Sequence, residues 1–75
     1  MTDKHGVEVQ IGDKVIGIDM EMEPPLHIGK ITDLSVGGGG AFIELGENIR
    51  NHPRFFSEEF ELWTPERELI VKLEL

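Results

Sequence analysis

A chain of 75 residues and 8.5 kDa makes one small domain, since a second hydrophobic core would have nothing to be built from. Fifteen acidic residues against seven basic ones leave a net charge of −8, which repels phosphate backbones, and the lack of cysteine excludes disulfides, thiolate metal sites and cysteine nucleophiles. At 39 % hydrophobic the chain is too apolar to stay unfolded, no apolar run approaches the roughly 18 residues of a membrane span, and Met1–His5 lacks the apolar stretch of a signal peptide; the expectation is a cytoplasmic protein, with residues 1–5 disordered.

In chain order, Val7-Glu8-Val9-Gln10-Ile11 alternates apolar and polar and predicts a first strand. Gly12-Asp13 breaks the pattern as the tight connection that starts the barrel, and a β-branched residue in place of Gly12 is costly there if that glycine holds a positive φ. Lys14 to Asp19 resumes a β-branched strand in which Gly17 marks a bulge or a close backbone approach. Met20 to Leu26, with Pro24-Pro25, is a loop. His27 to Val36 is a strand bulged near Gly29, and Gly37 to Gly40 is a hairpin tip leading into the strand Ala41 to Leu45. Because a strand follows the glycines where a nucleotide loop needs a helix, phosphate cradling is rejected. Gly46 to Pro53 reads as irregular, Ser57-Glu58-Glu59 as one helical turn and Phe60 to Trp63 as a short strand.

The last segment carries two conflicting signals. Thr64-Pro65-Glu66-Arg67-Glu68 has the cap, the first-turn proline and the acidic residues of a helix start. Leu69, Val71, Leu73 and Leu75 alternate with Lys72 and Glu74, with Ile70 the only break, and on that alternation a strand is slightly favoured over a short helix.

Short strands without a helix long enough to cover them must close on themselves, so the predicted fold is all-β, a small barrel of about five strands over residues 7–63 with residues 64–75 as an extension. Val9-Gln10-Ile11-Gly12-Asp13-Lys14-Val15 resembles the opening of SH3-like small barrels, including the KOW type. Gly29-Lys30-Ile31-Thr32-Asp33-Leu34 looks like the strand that follows in them, and Phe56 to Leu62 like their closing strand. The resemblance implies either a protein-binding or assembly module or, in KOW-type members, RNA binding. The acidic loop from Met20 to Leu26 departs from the nucleic-acid-binding members, which often carry basic residues there.

His5, His27 and His52 lack metal-ligand spacing, and Ser35 and Ser57 sit in no nucleophile motif, so neither metal, cofactor nor catalysis is expected. Phe42, Phe56 and Phe60 are assigned to the core. The candidate partner-binding residues are Met20, Glu21, Met22 and Glu23 in the loop, Phe55 and Trp63 if they face outward, and Leu69, Val71 and Leu73 in the extension. The leading expectation is a non-enzymatic module that binds a protein partner through an acidic and aromatic surface. With five strands already supplied, the extension is expected to contact a partner, most simply a second copy as a homodimer. Two alternatives stand beside it: an acidic inhibitor, of the kind found among small phage proteins, whose carboxylates imitate nucleic acid, and a KOW-type nucleic-acid module, which seven scattered cations disfavour.

Overall fold

The computed structural model describes residues 1–21, 23–34, 40–44 and 54–75. Five strands, β1 (Lys14–Ile18), β2 (Leu26–Leu34), β3 (Gly40–Glu44), β4 (Arg54–Phe56) and β5 (Phe60–Leu62), form one antiparallel sheet in the order β4-β3-β2-β1-β5. One helix, α1 (Pro65–Glu74), follows. A single 3-10 turn, Ser57–Glu59, joins β4 to β5, the strands at the two edges. Laid flat, those edges would stand about 19 Å apart at the usual strand spacing. The turn reaches only about 8 Å, so the sheet is curled strongly on itself.

The curl encloses a core of Val9, Val15, Ile31, Ala41, Ile43, Phe55 and Phe60, with Met1, Leu34 and Leu62 packed against it. Gly17 lies within this wall because the Phe55 ring crosses it, 2.9 Å from where a Cβ would stand. Of the two readings of Gly17, a bulge or a close approach, the structure has the close approach, with regular pairing to both neighbouring strands. The bulge expected near Gly29 falls instead between Ile31 and Asp33, where the β2–β3 register shifts. Gly29 serves a different need, since a Cβ there would collide with the Glu44 carbonyl of β3. The glycine tip expected between β2 and β3 and the irregular stretch Gly46 to Pro53 lie almost wholly outside the described residues, apart from Gly40, which begins β3.

Three expectations need correction. Val7–Ile11 is not a strand of the sheet: apart from an isolated bridge between Thr2 and Glu8 it is irregular, and only Val9 among its apolar residues is buried. The fifth strand is β4, which the aromatic crowding at Phe55 and Phe56 concealed. Residues 1–5, expected to be disordered, fold back onto β5. Asp3, only 4 % exposed, accepts backbone hydrogen bonds from His5 and Val7 through Oδ1 and from Leu62 through Oδ2, and Lys4 N donates to the Phe60 carbonyl. This arm occupies β5 hydrogen-bonding groups that an edge strand otherwise offers to other chains. The third correction is the extension, which is helical.

The Gly12-Asp13 connection forms as expected. Gly12 has φ +96°, Asp13 N donates to the Gln10 carbonyl, and Asp13 Oδ2 accepts from Gln10 N, giving a turn with glycine at its third position. Gly12 N and Ile31 N bond across to the Ile31 and Asp13 carbonyls, fixing the turn to β2.

Candidate interaction surface

The helix forms because its start is capped. Thr64 Oγ1 accepts from Arg67 N at 3.0 Å, Pro65 occupies the first turn, and Glu66 and Glu68 meet the positive end of the dipole. Its attachment to the sheet is a carboxylate. Glu61 of β5 is 2 % exposed, an expensive position for a charge, and is compensated from two sides. Arg67 of α1 donates Nε to Oε1 at 2.8 Å and Nη2 to Oε2 at 3.2 Å. From the N-terminal arm, His5 Nε2 lies 3.0 Å and Lys4 Nζ 3.6 Å from Oε2.

Glu61 pairs across the sheet with Ile16, so the two side chains share the face turned away from the core residues Val15 and Phe60. Ile16 and Val71 are both buried yet lie outside the core cluster. Arg67 and Val71 stand one helical turn apart, so the pair with Glu61 also directs Val71 to this face. A second attachment runs through Trp63, whose Nε1 donates to Glu68 Oε1 at 2.7 Å while Lys14 Nζ sits 3.7 Å from its ring centroid. Glu68 also accepts from Lys72 Nζ at 2.8 Å. These bonds hold its carboxyl below the usual range, the Lys72 bond foremost and the Trp63 bond next.

With Arg67–Val71 turned inward and Glu68–Lys72 tied to Trp63, the remaining half of α1 faces outward. It consists of two adjoining columns, Leu69–Leu73 and Glu66–Ile70–Glu74. Leu69 is 61 %, Ile70 40 % and Leu73 79 % exposed. Three leucine-sized side chains in contiguous positions make an apolar patch on a helix that is anchored from the other side.

The sequence-predicted site residues are not brought together. Met20, Glu21 and Glu23 are exposed in the β1–β2 loop, and Met22 lies outside the described residues. That loop follows Ile18, whereas Trp63 N bonds the Lys14 carbonyl at the other end of β1, about 13 Å away along the strand. Phe55 is excluded from any contact surface because it is 2 % exposed in the core; the outward residue is its neighbour Phe56, at 42 %, beneath the Arg54 guanidinium. Strand alternation makes that exchange, reversing the two phenylalanines assigned from sequence. Val71 is excluded likewise, at 3 % exposure. Leu69 and Leu73 do lie on the surface, and Trp63 is half-buried at its base.

Sequence reasoning missed Glu66, Ile70 and Glu74, which helical periodicity would have found, and Glu61, Arg67 and Asp3. The Asp3 turn had a local signal in Asp3-Lys4-His5-Gly6, a favourable turn composition. The Glu61 cluster had none, since its members come from an arm, a strand and a helix. Among the described residues no three potential ligand side chains gather to hold a metal ion, and no helix is long and apolar enough to cross a membrane. His5 is engaged by Glu61, His27 stacks tilted against Phe55 at 6.1 Å, and His52 lies outside the described residues. Compared with protein-family models, curated proteins and solved structures, the chain matches none.

Proposed function

We propose that this chain is a non-enzymatic protein-binding module of SH3-like barrel type, and that it engages its partner through the outward half of α1. The observation that carries this reading is the exposure of Leu69, Ile70 and Leu73 on a helix fixed from beneath by the Glu61–Arg67 and Trp63–Glu68 bonds. A loosely attached helix could turn such residues inward; this one is held with them outward, where water exposure costs free energy that a partner would recover. The Gly12-Asp13 turn at the start of β1 supports the barrel assignment, because it lies where the resemblance expects it.

Nucleic-acid binding is disfavoured by how the cations are used. Lys4 and Arg67 face Glu61, Lys72 faces Glu68, Lys14 lies over Trp63 and Arg54 over Phe56. Basic side chains engaged in this way release few counterions from a phosphate backbone. The test is affinity capture from the native host with the wild type and with a Leu69→Ser/Leu73→Ser double variant, which changes exposed positions only. A protein retained by the wild type and lost by the variant is the expected result; identical captures, or retention of nucleic acid instead of protein, overturn the reading.

A further inference from the structure

Leu69 and Leu73 form one column on the outward half of α1, and Ile70 lies in the next with Glu66 one turn before it and Glu74 one turn after. Glu66 therefore stands one turn from both Leu69 and Ile70, and Glu74 one turn from Ile70, at the border of the apolar patch. The two cations of the helix are directed elsewhere, Arg67 to Glu61 and Lys72 to Glu68. The face is thus apolar and anionic, on a chain of net charge −8.

We infer that this face accepts an amphipathic segment of a different protein, with apolar anchors for Leu69, Ile70 and Leu73 and lysine or arginine flanks for Glu66 and Glu74. The inference rests on the protein-binding reading and names the chemistry of the partner. A second copy is the obvious rival, and charge argues against it. In an antiparallel pairing of two α1 helices centred on Ile70, Glu66 of one copy meets Glu74 of the other at both ends. In a parallel pairing each glutamate meets itself. Either arrangement opposes like charges across a short apolar strip and brings together two chains of −8. The area is also small for a stable dimer: α1 is ten residues and so about 15 Å long, and its half-face offers a few hundred Å² against the roughly 800 Å² that each partner of a standard interface buries. A basic partner turns the same carboxylates from a penalty into a means of steering and register.

The experiment is a titration of the full chain, followed by backbone amide shifts, with two synthetic amphipathic helical peptides that share one leucine pattern and carry either lysine or glutamate at the flanking positions. The lysine peptide is expected to shift the amides of residues 65–75 and to bind at least about tenfold more tightly than its glutamate twin. Its affinity should fall several-fold between about 50 mM and about 300 mM salt, and by about tenfold in Leu69→Ser/Leu73→Ser. If both peptides bind the helix equally, the charge inference is wrong while the protein-binding reading stands. If neither shifts residues 65–75, or the lysine peptide binds elsewhere on the chain, the inference fails through its site. Sedimentation of the free protein as a dimer that the double variant dissociates would identify a second copy as the occupant and overturn it as well.

Discussion

Gly12 and Gly29 are the same residue used for two different physical reasons, and one substitution separates them. At Gly12 the backbone holds φ +96° with open space around the missing Cβ, so Gly12→Ala is strained only in conformation and is expected to cost about 1 kcal/mol. At Gly29 a methyl group would strike the Glu44 carbonyl and stand 2.8 Å from Ile43 Cγ2, so Gly29→Ala must displace β3 backbone and should cost roughly 2–3 kcal/mol. Urea denaturation of the two variants checks the order; equal midpoints would remove the distinction. Glu61 makes a pH-dependent contribution. Its carboxyl is held below the ordinary value of 4.5, first by the Arg67 hydrogen bond; burial opposes this, and the His5 bond and the Arg67 and Lys4 charges add to it. A carboxyl depressed on folding adds stability that is fully present above its unfolded value and is lost as pH falls through the folded one. Glu61→Gln should therefore be less stable than the wild type by about 1–2 kcal/mol near neutrality, with partners this exposed keeping the figure modest, and the gap should close as pH drops below 4.5. A gap independent of pH would show that ionisation of Glu61 is not what holds the arm and helix.

Among the elements, β1, β2, β3 and β5 were legible because each carries β-branched or aromatic residues between turn signals. Val7–Ile11 misled for a local reason. Its alternation is real, but Asp3 draws the His5 and Val7 amides into a turn, and the segment pairs with the chain's own start instead of with the sheet. The extension misled through period. Leu69, Val71, Leu73 and Leu75 alternate, yet on a helix Leu69 and Leu73 face outward and Val71 inward, and Ile70 was the sign that two-residue spacing did not hold. Cap chemistry decided the outcome, so removing it is informative. Thr64→Ala should lower stability by about 1 kcal/mol and reduce helical circular dichroism before the sheet melts. An unchanged unfolding curve would assign the helix to its tertiary bonds alone.

For the molecule as a whole, sequence reached an all-β fold of about five short strands, but not what covers the outer face of the sheet. Neither Ile16 nor Glu61 announces in sequence that a helix and an arm will meet over it, because that cover is built from residues far apart in the chain. Ending the chain after Thr64 removes Arg67 and Val71 together, leaving buried Glu61 with only its arm partners Lys4 and His5, and should destabilise the protein by about 3 kcal/mol or more in thermal or urea unfolding. A truncated chain of unchanged stability would show that the helix is not part of the fold's support. The Asp3 side chain has a kinetic consequence. Its bond to Leu62 N joins positions 59 apart in sequence, whereas the β1–β2 and β2–β3 pairings close far shorter loops. Contacts of such separation are entropically late, so the arm should dock after the transition state, as the last piece to seat and the first to leave. Asp3→Asn is then expected to speed unfolding while leaving the refolding rate nearly unchanged, which stopped-flow chevron limbs would register directly.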